Sequence, residues 1–142
     1  MKQRVPGRAW HAPGLAGRRP RMLVESDSEA LAISDFSLFQ QAGFDVAFCS
    51  GPGRTPRACP LLRGQECAML AGADVVLHGL NPALGIATAI RQARPDLPVV
   101  AEQSPGEDGS IEVPDGCLPL VYPCSVHGQV DAVRRALGTR RG

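Results

Sequence analysis

The sequence predicts a single α/β domain, a doubly wound three-layer sandwich around a five-stranded parallel sheet. From residue 21 onward, short apolar runs alternate with segments of helical periodicity. The runs are apolar at successive positions, which is typical of strands that are covered on both faces. A length of 142 residues suits one hydrophobic core. Right-handed crossovers between such strands place helices on both faces of the sheet.

The predicted elements alternate along the chain. Strands are predicted over residues 21–25, 44–49, 73–79, 97–103 and 117–123. The first helix has Ser26, Asp27 or Ser28 as its candidate cap and ends at Gly43. Further helices are predicted over 65–72, 82–94 and 126–137. Residues 50–64 and 104–116 have no helical stripe and are predicted to be loops.

Two of the helices carry an apolar stripe that predicts their buried face. In the first helix the stripe consists of Leu31, Leu38, Phe39 and Ala42. In the last helix, which Ser125 can cap, it consists of Val126, Val130, Val133 and Leu137. Pro119 and Pro123 favour an edge position for the fifth strand, because proline cannot donate to a neighbouring strand.

The composition divides the chain into a domain and two tails. Residues 1–20 are basic, rich in proline and glycine and without periodicity, which predicts a disordered tail. Trp10 and His11 could form a short docking motif within it, and an untethered terminus is the alternative. The ordered domain is predicted over 21–138, and 139–142 form a short basic C-terminal tail.

The overall charge and hydropathy narrow the range of partners and compartments. A net charge of +1 gives no general case for binding nucleic acid. No apolar run approaches the ~18–20 residues that a membrane helix needs, and the basic N-terminus lacks the apolar core of a secretory signal. We therefore expect a cytoplasmic protein that does not bind membranes and whose five cysteines are mostly reduced.

Several segments resemble the receiver domains of bacterial response regulators. The first strand, helix and second strand of that family are similar to RMLVESDSEALAISDFSLFQQAGFDV, residues 21–46. Its third-strand motif resembles DVVLHGL, its fourth-strand region resembles IRQARPDLPVV, and the end of its fifth strand resembles LVYP. The resemblance covers about residues 21–138 and implies a CheY-like, flavodoxin-like sheet of order 2-1-3-4-5 with a role in signal transduction.

The resemblance also implies a phosphorylation pocket, and this chain departs from it. A working receiver uses a carboxylate acceptor, two acids that hold Mg²⁺, a hydroxyl and a lysine, because the transferred phosphoryl group must be neutralised. The matching positions in this chain are Ser26, Asp27, Gly79, Gln103 and Tyr122. Only Asp27 supplies the expected group. We therefore expect a pseudo-receiver that is not an enzyme and acts by binding a protein partner. The partner could be a second copy of the chain, which would give a homodimer.

Three other titratable residues lie near the same strand ends. His78, Glu25 and Glu102 each come one residue before a pocket position. Because side chains alternate along a strand, all three are predicted to point away from the pocket. For His78 this predicts a buried, hydrogen-bonded ring in place of a phosphohistidine.

A cysteine cluster is the second notable feature. Cys49, Cys59 and Cys67 fall within one loop–helix segment and could bind Zn²⁺ or an iron–sulfur cluster, or form a redox switch. The spacing lacks the close pairs of typical zinc sites, and Cys117 and Cys124 belong to the opposite sheet edge, about 19 Å away. The alternative is that the three thiols are ordinary buried residues, or that Cys59 and Cys67 form a disulfide within the loop. A thiol-based redox or metal sensor is thus the alternative function, and no cofactor is expected otherwise.

Overall fold

The sheet has the predicted order. The computed structural model describes Trp10 and residues 19–52, 59–103, 108, 113–122 and 124–139. The strands are β1 (Arg21–Glu25), β2 (Asp45–Cys49), β3 (Val75–His78), β4 (Val99–Gln103) and β5 (Leu118–Val121). They pair in parallel in the order β2-β1-β3-β4-β5, which confirms the doubly wound class and the edge position of β5. The helices are α1 (Glu29–Gln41), α2 (Ala68–Ala71), α3 (Ile86–Ala93) and α4 (Val126–Thr139).

Two cores lie on opposite faces of the sheet. The α1/α4 face is formed by residues that include Val24, Leu77, Val100, Phe39 and Val133. The α2/α3 face is formed by residues that include Leu23, Val76, Val99, Leu70 and Ile90. Successive residues of each strand thus alternate between the two cores, as the pleat of a strand requires. This alternation decides on which face each functional side chain lies.

The first helix begins as predicted, but its buried stripe differs from the prediction. The Ser28 hydroxyl accepts a hydrogen bond from the backbone N–H of Leu31, which identifies the cap among the three candidates. Leu31 itself is 60% exposed, so its placement on the buried face was wrong. The buried residues of α1 are Ala32, Asp35 and Phe39. Two neighbouring stripes were available, and the packing of the Phe39 ring, which is fully buried, selects the one that contains Asp35.

The last helix shows the same kind of correction. The hydroxyl of Ser125 accepts from the backbone N–H of Gly128 at 2.9 Å, so the predicted cap is confirmed. Val126 is 57% exposed and does not belong to the buried stripe. Its first-turn position lies at the rim of the sheet, while Val133 and Ala136 lie fully buried on the α1/α4 face.

The middle of the chain is less helical than its pattern predicts. The helix predicted over 65–72 is reduced to α2, which follows a 3₁₀ turn over Leu61–Arg63. The helix predicted over 82–94 is divided by Gly85, whose φ of 73° is left-handed and interrupts the helix before α3. Among the described residues, no helix is long and apolar enough to cross a bilayer.

Trp10 from the predicted tail contacts the domain. Its indole N–H donates to the carbonyl of Met69 at 3.2 Å, and its ring lies 5.8 Å from the guanidinium of Arg21. A Cβ atom on Gly72 would approach the indole nitrogen to 2.7 Å, so a glycine is needed where the ring packs. The rest of the predicted tail before residue 19 lies outside the described residues.

We expect Gly72→Ala to displace Trp10 into water, because the added methyl group occupies the position of the indole. Trp10 is the single tryptophan of the chain, so its fluorescence emission reports on this contact alone. The emission maximum should shift to the red in Gly72→Ala. It should not shift in Gly138→Ala, where an added Cβ meets nothing within 4 Å. An unchanged spectrum in Gly72→Ala would show that the contact does not persist in solution.

Candidate functional site

The residues of the predicted pocket lie at the carboxyl ends of the strands. Backbone hydrogen bonds join these ends: the N–H of Gly79 donates to the carbonyl of Glu25 at 2.8 Å. The N–H of Tyr122 donates to the carbonyl of Gln103, also at 2.8 Å. In doubly wound folds this rim is where ligands bind.

Ser26 and Asp27 follow β1 and differ in burial. Ser26 is 5% exposed, and its hydroxyl accepts from the backbone N–H of Ser28 at 3.1 Å. That hydroxyl therefore stabilises the turn into α1. Asp27 is exposed to solvent at the rim.

The space beside Gly79 is occupied by Glu102. A Cβ atom built on Gly79 would lie 2.8 Å from a carboxylate oxygen (Oε1) of Glu102 and 3.2 Å from the carbonyl of Glu25. The prediction that Glu102 points away was therefore wrong. Glu102 lies two residues after Val100 and shares its α1/α4 face, which is also the face of Gly79. The same alternation places Gln103 on the opposite face.

Glu102 is part of a set of polar side chains on the α1/α4 face, which we call the Tyr122 network; Asp35 and Gln129 are buried, and Glu102 and Tyr122 are partly buried. Its members are Asp35 of α1, Glu102 of β4, Tyr122 after β5 and Gln129 of α4. The Gln129 amide donates to the Tyr122 hydroxyl at 2.9 Å and to Oδ1 of Asp35 at 3.3 Å. The Glu102 carboxylate lies close enough to the Tyr122 hydroxyl to raise its pKa. The network thus joins α1, α4, β4 and the residue after β5, on the same face of the sheet as Gly79.

Two carboxylates within this partly buried network alter the acid–base properties of its members. Burial and, to a smaller extent, the charge of Glu102 together raise the pKa of Asp35 to about 6, against the lowering effect of the Gln129 hydrogen bond. Burial also raises the pKa of Tyr122 well above its usual range, and Glu102 adds to this through its hydrogen bond and its charge. Tyr122 is therefore a neutral donor at any physiological pH.

We expect Gly79→Ala to destabilise the fold by about 1–2 kcal/mol, because the new methyl group forces the Glu102 carboxylate out of the space that it occupies. Urea unfolding of four proteins measures the effect: the wild type, Gly79→Ala, Glu102→Ala and the double variant. The alanine at position 79 should cost less in the Glu102→Ala background, because the obstructing carboxylate is gone. Equal costs in both backgrounds would show that Glu102 does not fill this space.

Glu25 and His78 form a buried pair on the α2/α3 face. The Nδ1–H of His78 donates to Oε1 of Glu25 at 2.7 Å, and both residues are less than 5% exposed. The prediction that these two side chains point away from the pocket is confirmed. Within the described residues, the other ring nitrogen of His78, Nε2, is buried and has no hydrogen-bond partner.

The three cysteines of the predicted cluster line one cavity on the α2/α3 face. Cys49, Cys59 and Cys67 all contribute to its wall, together with Glu25. All five cysteines of the chain are among the described residues and are present as thiols, so the alternative of a loop disulfide is not formed here. In the part of the chain that the structure describes, no group of three or more His, Cys, Asp or Glu side chains is arranged to hold a metal ion.

Sequence reasoning missed Asp35 and Gln129. A signal for Asp35 was present, because it lies three residues after Ala32 and four before Phe39 and so places a carboxylate on a buried helical stripe. Gln129 lies next to Val130 in α4 and is only 9% exposed. The sequence predicts that Gln129 is buried only if the apolar stripe of α4 is already known to leave out Val126.

Comparison with known proteins identifies the fold. No protein-family model and no curated protein matches the chain. A response regulator receiver domain protein from Clostridium thermocellum matches with a TM-score of 0.62 and 16% identity, over 86% of this chain and 97% of that one. A response regulator receiver protein from Sinorhizobium medicae matches with a TM-score of 0.60 and 21% identity, over 86% and 97%. A CheY-like receiver domain protein from Methanospirillum hungatei gives 0.60 and 12%, over 87% and 98%. The chain therefore has the CheY-like receiver fold.

Proposed function

We propose that this protein is a pseudo-receiver, a signalling module that does not accept phosphate and acts by binding a protein partner in the cytoplasm. The observation that carries the proposal is the contact between Gly79 and Glu102. The position that resembles the phosphoacceptor has no side chain, and the space a side chain would need holds a carboxylate oxygen, 2.8 Å from the Cβ position. The same carboxylate raises the pKa of Tyr122, the residue at the position that resembles the lysine.

The Tyr122 network supports the proposal that the carboxyl ends of the strands are held in one conformation. In a working receiver, phosphorylation adds charge that a lysine and a metal ion neutralise. Here Tyr122 is neutral at the position that resembles the lysine, and its hydroxyl accepts a hydrogen bond from the Gln129 amide. Ser26, at the position of one metal-binding acid, uses its hydroxyl for the turn into α1. The rim is therefore held together by its own side chains, without a phosphoryl group.

Incubation with acetyl phosphate and Mg²⁺ tests the proposal. The wild type should show no hydroxylamine-labile phosphate by intact mass, under conditions that fully modify a phosphorylatable receiver. Glu102→Gln and Asp27→Asn serve as matched variants. A labile phosphate on the wild type would refute the proposal, and its loss in only one of these variants would identify the acceptor. Binding of a partner recovered from cells should be equally tight with and without the phosphodonor.

A thiol-based sensor is the second candidate function, and the shared cavity of Cys49, Cys59 and Cys67 favours it. In a redox sensor, hydrogen peroxide would oxidise two of these thiols to a disulfide and be reduced to water. Peptide mapping after mild peroxide treatment should then find one defined disulfide within the trio. Metal analysis of protein purified under reducing conditions tests the version with Zn²⁺ or an iron–sulfur cluster. Unreacted thiols and no bound metal would exclude this function.

A further inference from the structure

An apolar cavity of about 220 Å³ lies on the α2/α3 face of the sheet. Its wall includes α2, which has only four residues, and residues of the 3₁₀ turn before it, together with side chains of β1 and β2. An apolar cavity of about 150 Å³ is enough to hold benzene. The cavity is therefore large enough for a single ring with one or two substituents.

The wall of the cavity has an unusual chemical character. Four of its residues carry sulfur, namely Cys49, Cys59, Cys67 and Met69. Most of the others are aliphatic, and none of the described wall residues is aromatic. Sulfur atoms make favourable contacts with aromatic rings at about 5 Å. An aromatic ligand would supply the ring that the wall lacks.

Glu25 is the charged residue in this wall. Neighbouring residues on the adjacent strands are Cys49 on one side and His78 on the other, so the three form a row across the sheet. The bond from His78 orients the Glu25 carboxylate and leaves lone pairs on it for another donor, since a carboxylate accepts about four hydrogen bonds. An anion would be repelled by Glu25, and burying a cation among apolar walls is costly. The ligand that suits this wall is therefore a neutral molecule with a hydrogen-bond donor.

We propose that this cavity binds a small neutral aromatic molecule with one O–H or N–H donor, of the phenol class. The donor bonds to the Glu25 carboxylate, and the ring packs against the sulfur-bearing side chains. The site is independent of the proposed pseudo-receiver function, because it lies on the opposite face of the sheet from Gly79 and the Tyr122 network; it shares its cysteines with the thiol-sensor candidate.

Titration with phenol itself tests the proposal. Phenol should bind the wild-type protein saturably, with a Kd on the order of 1 mM or tighter, as expected for so few atoms. Anisole keeps the ring but lacks the donor, and cyclohexanol keeps the donor but lacks the aromatic ring. Each should bind at least about fivefold more weakly. Failure of phenol to saturate, or equal binding of anisole, would overturn the proposal.

Variants and thiol labelling locate the bound probe. Glu25→Gln should remove the preference for phenol over anisole, while Glu29→Gln, an exposed residue of α1, should retain it. Bound phenol should slow the alkylation of Cys49, Cys59 and Cys67 but not that of Cys124, which packs on the α1/α4 face. The labelling needs only wild-type protein, so it decides the matter even if Glu25→Gln does not fold. Protection of Cys124 alone, or of none of the thiols, would refute the location.

Discussion

Replacing Glu25 by leucine should lower the free energy of unfolding by about 3–5 kcal/mol, the largest single effect that we expect in this protein. Both members of the Glu25–His78 pair are buried. Among the described residues, Glu25 is the single hydrogen-bond partner of the His78 ring, through Nδ1 at 2.7 Å. Without Glu25, the imidazole is buried with neither nitrogen bonded. Most of the loss in stability comes from burying the His78 imidazole without a hydrogen bond, and less of it comes from the lost bond itself.

The same reasoning predicts recovery in a double variant. Glu25→Leu combined with His78→Leu removes both polar groups and leaves two apolar side chains in an apolar core. Replacements of this kind are often neutral or stabilising. Urea unfolding of the wild type, both single variants and the double variant gives the coupling energy. Glu25→Gln, which keeps an oxygen for the Nδ1–H of His78, should cost much less than Glu25→Leu. If the two single costs simply add in the double variant, the pair is not the cause.

Replacing Asp35 by asparagine should stabilise the protein at neutral pH by about 1–3 kcal/mol. The pKa of Asp35 is raised from 3.8 to about 6, first by burial and then by the charge of Glu102. The folded chain therefore keeps a proton that the unfolded chain loses, in the window between these two values. Stability falls as the pH rises through this window, and the full penalty applies above it. The lower part of the range of values allows for partial solvent screening.

Asparagine removes the titrating group but keeps the oxygen that accepts from Gln129. The stabilities of Asp35→Asn and the wild type should therefore converge near about pH 4, separate as the pH rises towards about 6, and stay apart by a constant amount above it. Urea unfolding across this range measures the difference. Asp131→Asn, a change at an exposed carboxylate on the outer side of α4, is the control and should follow the wild type. Parallel profiles for Asp35→Asn and the wild type would mean that Asp35 does not carry the pH dependence.

These two predictions concern opposite faces of one sheet, and the sequence could not assign the faces by itself. In a strand that alternates apolar and polar residues, the pattern shows which side is buried. In β4 and β3 both sides are buried, so Val99 and Val100 look alike in the sequence. Glu102 was accordingly predicted to face away from Gly79, although it lies against it. The assignment becomes possible only when the helices that cover each face are known.

Local signals were more informative about boundaries. The bounds predicted for β1 are the observed ones, because an apolar run there is followed directly by residues that prefer helix caps. The end of α1 was also predictable, since Gly43 has a φ of 100° and a glycine suits such a position. The helix at 65–72 was overestimated, because its pattern covers fewer than three turns and short helices depend on packing.

The order of strands and helices, and with it the receiver fold, was determined by the sequence alone. Hydrophobic runs, caps and glycines act over a few residues, so their effects can be predicted without knowing what packs on them. The tertiary structure decided everything that depends on residues distant in the chain. It brought Glu102 against Gly79, joined Glu25 to His78, and enclosed a cavity beside the short helix α2. Such contacts depend on which faces meet, and that is a property of the packed molecule.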